Sequence, residues 1–273
     1  SLNTGNVTLN GNLGNDLFQL FDAGNTVDNI AGPVVVDGTD GNVGGNTDTL
    51  TITDSGDPSA DLNVVIAASS PGSSADYFID GINSVASGDV TFRNVDVLNY
   101  TSTAAADRID GRFESTIPLH DLNTVNLSGW TGADQFLLYT SDQVGGTGLN
   151  NTPTGSPSGL ANINLYGDAP GNPNGGDGND TFGATPPVPF TGTGAMNVGL
   201  VVSDNLRMIR PSASTSIAID GGTPTGLAAP LGDATGDILN VDISALPNTS
   251  PVIVSTFAPG TVVASSVQPL TWG

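Results

Sequence analysis

Residues 7–20 read V-T-L-N-G-N-L-G-N-D-L-F-Q-L, and residues 125–138 read V-N-L-S-G-W-T-G-A-D-Q-F-L-L. Both fit V-x-L-x-G-x-x-G-x-D-x-F-x-L without a gap. Three further copies appear when the middle is allowed to grow. Ile163, Leu165 and Gly167 lead to Gly175, Gly178, Asp180 and Phe182. Val34, Val36 and Gly38 lead to Asp48, Leu50 and Ile52. Ile217, Ile219 and Gly221 lead to Asp237, Leu239 and Val241. Weaker echoes start at Asp76 and at Asp107. The unit has a physical meaning. A strand with alternating inward residues ends at a Gly, which accepts positive φ. A polar turn follows, and an Asp at its exit can bond free backbone N–H groups. The next strand begins with Phe, Leu or Ile facing inward.

The rest of the chain agrees with this unit. Apolar residues alternate in short runs punctuated by Gly, Asn, Asp, Ser and Pro, which is the signature of strands. The runs are Val7–Asn10, Asp16–Phe21, Val34–Asp37, Thr49–Thr53, Leu62–Ala67, Tyr77–Ile79, Val90–Tyr100, Val125–Leu127, Gln135–Tyr139, Ile163–Tyr166, Asn197–Val202, Leu206–Ile209, Ser216–Asp220, Ile238–Ile243, Val252–Phe257 and Thr261–Val263. No stretch carries the helical spacing of apolar residues. The expected fold is all-β, a right-handed parallel β-helix with irregular loops, with a β-sandwich as the alternative. Residues 1–245 form the repeat domain in this reading, and residues 246–273 a strand segment that packs on or caps it.

Composition narrows the function. The 273 residues carry a formal charge of −22, from 27 acidic and 5 basic residues. Every basic residue is Arg, and every acidic residue but Glu114 is Asp. A chain this acidic repels phosphate, which argues against nucleic-acid binding. Cys is absent, so disulfides and thiolate metal sites are excluded. Without Lys, Schiff-base catalysis, lysine phosphate loops and lysine isopeptide crosslinks are excluded too. No run approaches the ~18 apolar residues of a membrane helix. The chain starts at Ser1 and reads as a segment of a longer exported protein, extracellular or at the cell surface.

The run Gly175-Gly176-Asp177-Gly178-Asn179-Asp180-Thr181-Phe182 resembles the G-G-x-G-x-D-x-U-x repeat of RTX calcium-binding β-rolls. Residues 11–18 and 129–136 match it more loosely. In style the whole chain resembles the Asp/Gly-rich, Lys-poor repeat surface proteins of planctomycetes and related bacteria. The RTX resemblance implies calcium ligands at Asp177 and Asp180 and, by weaker analogy, at Asp16 and Asp134. The turn glycines 11, 38, 129, 167 and 221 do not keep the nine-residue step of an RTX roll. They suit the unequal loops of a β-helix better.

For the turn aspartates Asp16, Asp48, Asp134, Asp180 and Asp237 two chemistries compete: Ca²⁺ ligation by hard oxygens and capping of backbone amides. The single histidine, His120, sits in P-L-H-D without a catalytic signature around it. Five arginines, Arg93, Arg108, Arg112, Arg207 and Arg210, have acidic neighbours to pair with. Trp130 follows a turn glycine and suits either a sugar platform or a core edge. Asn-x-Ser/Thr sequons occur at Asn6, Asn99, Asn126, Asn150, Asn179 and Asn248. The reading is a non-catalytic structural module of a surface, fibre or matrix protein, stabilised by Ca²⁺ and assembling with itself or neighbouring surface proteins. An adhesin or carbohydrate-binding module, with the loops 144–162 and 168–178 as its contact surface, is the alternative. A polysaccharide-active β-helix enzyme comes last.

Overall fold

A computed structural model describes residues 5–39, 46–68, 77–82, 89–113, 121–140, 162–167, 180–182, 216–220, 238–239, 252–253, 260–263 and 270–272. Among the described residues every regular element is a strand, and no helix is long and apolar enough to cross a membrane. The chain is all-β. The strands are β1 (Val7–Asn12), β2 (Leu17–Leu20), β3 (Val34–Thr39), β4 (Thr49–Thr53), β5 (Val64–Ala68), β6 (Tyr77–Asp80), β7 (Val90–Arg93), β8 (Val97–Thr101) and β9 (Arg108–Phe113). They continue with β10 (Thr124–Ser128), β11 (Gln135–Thr140), β12 (Asn162–Tyr166), β13 (Thr181–Phe182), β14 (Ser216–Asp220), β15 (Ile238–Leu239), β16 (Val252–Ile253), β17 (Gly260–Val263) and β18 (Leu270–Trp272).

The strands form two nine-stranded sheets. One runs β1-β3-β7-β6-β5-β9-β11-β13-β15, the other β16-β17-β18-β14-β12-β10-β8-β4-β2. Through most of its length the chain visits the sheets in turn, and each return adds a parallel strand beside an earlier one. One strand in each sheet is reversed. β6 lies antiparallel between β5 and β7, and β17 lies antiparallel between β16 and β18.

Register explains why the apolar residues alternate. In β4, β8, β10 and β12 every second side chain is buried. The parallel register aligns Leu50, Leu98, Val125, Ile163 and Ile217 in one row. Ile52, Tyr100, Leu127, Leu165 and Ile219 form the next. On the other sheet the Phe of the repeat stacks on itself: the rings of Phe136 and Phe182 lie 5.0 Å apart and 7° from parallel. Burying one such side chain is worth roughly 1.5–3 kcal/mol. The core is therefore a set of rows along which like residues stack.

The outward face of the second sheet carries a polar row in the same register. Asn126 Nδ2 donates to Asn99 Oδ1 at 2.7 Å, and Asn164 Nδ2 donates to Asn126 Oδ1 at 2.7 Å. Asn99 Nδ2 donates in turn to Thr51 Oγ1 at 3.2 Å. Two of the sequon asparagines, Asn99 and Asn126, thus have their amide nitrogens engaged in this ladder.

Two expectations need correction. Val90–Tyr100 is not one strand. It breaks at Asn94, whose φ is 54°, and Asp96 turns the chain from one sheet into the other. Arg108–Phe113, seen in sequence only as a weak echo, is a full strand between β5 and β11. The expected strands Asn197–Val202 and Leu206–Ile209 lie outside the described residues, as does the 245/246 boundary.

The asparagine ladder gives a direct expectation. Asn126→Ala removes both of its side-chain bonds at the middle of the row, and each such bond is worth about 1 kcal/mol net. Urea unfolding of Asn126→Ala should show a loss of about 1–2 kcal/mol, while the same change at exposed Asn29 on the far side of the first turn should leave the row intact.

Candidate functional site: the aspartate corners

Among the described residues seven aspartates immediately precede a strand: Asp16 before β2, Asp48 before β4, Asp89 before β7, Asp96 before β8, Asp107 before β9, Asp134 before β11 and Asp180 before β13. Six of them are buried, and Asp16 is half-buried. Buried carboxylates need partners, and the partner is the backbone of an adjacent strand's corner. Asp16 N–H donates to Asp48 Oδ1 at 2.8 Å, and Asp48 N–H donates to Asp96 Oδ2 at 2.7 Å. At the other corner Asp61 N–H donates to Asp107 Oδ1 at 2.6 Å, Asp107 N–H to Asp134 Oδ1 at 2.8 Å, and Asp134 N–H to Asp180 Oδ1 at 2.8 Å. The repeat copies thus split between two corners. The copies starting at Val7 and Val34 cross from the first sheet to the second, and those starting at Val125 and Ile163 cross back.

The same geometry accounts for the glycines of the motif. A methyl group on Gly11 would lie 2.5 Å from Asp16 Oδ2 and 2.9 Å from the Gly38 carbonyl. On Gly38 it would lie 2.5 Å from Asp48 Oδ2 and collide with the Asn94 carbonyl. On Gly129 it would collide with Asp134 Oδ2 and lie 2.6 Å from the Gly167 carbonyl. The first Gly of the repeat is required by space, because the aspartate folds back over it. The positive φ expected there falls elsewhere: on the following residue, at Asn12 (148°), Thr39 (75°) and Trp130 (69°), and on the second Gly, at Gly14 (120°) and Gly132 (117°).

Of the expected calcium ligands, Asp134 and Asp180 are neighbours in one corner, Asp16 lies in the opposite ladder, and Asp177 lies outside the described residues. Among the described residues no group of three His, Cys, Asp or Glu side chains converges as metal ligands. Asp134 and Asp180 each engage one oxygen with a backbone amide, and Asp134 packs the other over Gly129. Both carboxylates thus serve as caps on the amide of the preceding corner. His120, Arg207 and Arg210 and the loops 144–161 and 168–178 also lie outside the described residues. Arg93 pairs with Asp37. Burial works against the ionised form of Asp37, but bonds from Arg93, Asn94 and the Thr39 amide outweigh it and hold its pKa below the usual carboxylate range. Trp130 is half-buried.

One corner region escaped the sequence reading. Asp54 is fully buried; its Oδ1 accepts the Val27 amide at 3.0 Å, and its Oδ2 is buried without a partner. Asp61 Oδ2 and the Tyr100 hydroxyl are likewise buried without partners. Burial pushes Asp54 up to about 7, and the charges of Asp28, Asp57 and Asp107 add to it against the Val27 bond. Burial pushes Asp61 up to about 7 as well, reinforced by Asp54, Asp107, Asp57 and Asp28. Burial raises Asp107, which the Asp61 amide, Ser102 and Thr103 partly offset. Tyr100 is raised well above its ordinary value by burial and then by Asp61, Asp54, Asp107 and Asp134. Asp54 was hidden in sequence because it follows a strand instead of preceding one.

No protein-family model, no curated protein and no solved structure matches the chain.

Two outcomes follow from these corners. Gly129→Ala should destabilise the chain by about 1–3 kcal/mol in urea melts, as overpacking of a filled site does; Asp134→Ala, which leaves the Asp107 amide without its acceptor, should cost about 1–3 kcal/mol too, and the double variant should lose less than the sum because the clash with the carboxylate is gone. The second concerns pH. Asp54 and Asp61 hold their protons more tightly when folded than the ~3.9 of an unfolded aspartate. Their protonated forms therefore stabilise the fold fully below about pH 4, and this contribution is lost as pH rises through about 7. The melting midpoint should fall between pH 5 and pH 8, and Asp54→Asn should flatten that slope.

Proposed function

We propose that the chain is a non-catalytic structural module of an exported surface, fibre or matrix protein, built as a right-handed parallel β-helix that assembles with its own kind. The observation that carries the reading is where the repeat keeps its identity. Its apolar positions fill the interior rows, its first Gly makes room for the Asp, and its Asp holds the amide of the preceding corner. What recurs along the chain is the apparatus of stacking. A surface chemistry would have to recur at outward positions, and those positions vary between copies. Right-handedness is the near-universal sense of a parallel crossover between strands of one sheet. An array of this kind gains stability from neighbours and not from a single centre.

Calcium belongs to the proposal on the strength of charge alone. At −22 the folded chain crowds carboxylates that an unfolded chain spreads apart, and cations relieve the crowding. A site with a Kd near ~10 μM that exists only in the folded form would add about 2.7 kcal/mol at ~1 mM Ca²⁺.

The reading is tested by following particle size against protein concentration, by light scattering and negative-stain microscopy, together with a screen for sugar release from common polysaccharides. Growth with concentration and no sugar release are expected. A chain that stays monomeric throughout, or that hydrolyses a polysaccharide, overturns the reading. For calcium the check is a melt in CaCl₂, in MgCl₂ and with chelator at equal ionic strength. A higher midpoint in CaCl₂ than in MgCl₂ is expected, because Mg²⁺ keeps its octahedral water shell; equal midpoints would mean plain screening.

A further inference from the structure

Both sheets end on the same return of the chain. β1 is the last strand of one sheet and β2 the last strand of the other. Their open edges carry ready hydrogen-bonding groups. Val7 N–H donates to the Pro33 carbonyl at 3.0 Å, and Val7 is in register with Val34. In a parallel ladder alternate residues bond to the same side, so the amides of Thr8 and Asn10 point away from β3. Thr49 N–H donates to the Asp16 carbonyl at 2.9 Å, with Leu17 in register with Thr49. By the same rule the amides of Leu17 and Gln19 point away from β4.

The core is partly uncovered along β1 as well. Val7 and Leu9 are only half-buried, whereas their register partners Val34 and Val36 are 1% and 0% exposed. On β2 the inward Phe18 and Leu20 are buried, while Leu17 on its outward face and Leu13 in the preceding turn are exposed apolar side chains. An apolar end framed by two open parallel edges is a surface that another layer of strands would cover.

The far end offers such a layer with the right sense. The sheets finish there on β15 and β16. β15 runs parallel to β13 and, through the reversed β6, in the same direction as β1. β16 is separated from β18 by the single reversed strand β17, so it runs in the same direction as β14 and β2. A second copy placed head to tail would therefore set β15 beside β1 and β16 beside β2, both in parallel. A two-fold, head-to-head pairing would set β1 against its own copy in antiparallel.

We propose that this chain stacks head to tail on a second copy, with the β1/β2 end of one molecule receiving the β15/β16 end of the next. The inference rests on the assembling role proposed above and names its contact surface. The interface is heterologous, and because it joins opposite ends of one stack it extends along the stacking direction as a polar filament.

The test uses the full chain and the double variant Thr8→Pro with Gln19→Pro. Proline at these positions removes two outward amides while leaving the bonds to β3 and β4 in place, as proline does on edge strands. The expected result is filaments with the unmodified chain and monomers with the variant, at a melting midpoint that shows the variant folded. A measurement without any substitution backs it: amide exchange at Thr8, Asn10, Leu17 and Gln19 should slow at least about tenfold on assembly, with exchange at the already paired Val7 unchanged. Filaments of equal length from the folded variant, compact two-fold dimers, or unchanged exchange at those four amides would overturn the head-to-tail contact while leaving an assembling protein. An unmodified chain that never assembles would remove the assembling role itself.

Discussion

A stack of parallel strands has to fix the height at which each new strand starts, and here that height is set by one bond: the backbone amide of one aspartate held by the carboxylate of an aspartate one return further on. In a parallel ladder the first residue of a strand has no partner for its neighbour's amide unless a side chain supplies one. The carboxylate does so from a short stem, so its position defines the corner closely. The charge-assisted bond is stronger than a neutral one, and it holds the five buried carboxylates of Asp48, Asp96, Asp107, Asp134 and Asp180. The interior rows follow from it. Once successive strands start in register, Leu50, Leu98, Val125 and Ile163 must lie over one another, and the asparagines outside them must meet amide to amide.

The aspartates meet two electrostatic environments. Asp48, Asp96, Asp134 and Asp180 at strand starts each hold the amide of a neighbouring corner, and Asp37 is held in its ionised form by Arg93, Asn94 and the Thr39 amide. Asp54 and Asp61 sit in a buried region among several other acids. Burial there favours the neutral acid, and the surrounding acids Asp28, Asp57 and Asp107 favour it further. One residue type thus meets opposite environments in one chain: Asp37 is held below the usual carboxylate range, and Asp54 and Asp61 are pushed above it.

Much of this was legible from the chain itself. Alternation and punctuation located most described strands, missing β9, β13 and β18 as runs and merging β7 with β8, and the ungapped match of residues 7–20 with 125–138 located the unit that builds them. The role of Asp134 as an amide acceptor could be anticipated because an oxygen at a turn exit has amides within reach. What the pattern concealed was pairing. Two copies with the same letters can cross between the sheets in opposite directions, and nothing local distinguishes Asp16 from Asp134 in this respect. The glycine was misread for a related reason. Positive φ is a property of one residue, but the crowding at Gly129 involves Asp134 and the carbonyl of Gly167, and the latter comes from the next strand over. Val90–Tyr100 reads as continuous because Asn94 and Asp96 interrupt its alternation for only three residues, which is enough for a corner. The Asp54 corner left no trace in the repeat at all.

The reversed strand β6 has a bearing on how the chain reaches this structure. Outside this region and the β16–β17–β18 end, each strand finds its place on a neighbour already laid down, so folding can proceed like a zip closing from one tooth to the next. Around β6 that order fails. β7 pairs with β3, while β5, which precedes it in the chain, must wait to sit between β6 and β9. The meander β5–β6–β7 has to form as a unit before the growing stack can pass it, and closing the loop between Val34 and Val90 is needed at the same moment. Loop closure of that kind is slow relative to adding a neighbouring strand. The first sheet is accordingly divided into two runs of parallel strands by this meander, about a third of the way along the chain, so that its two parts can grow separately only until the meander closes.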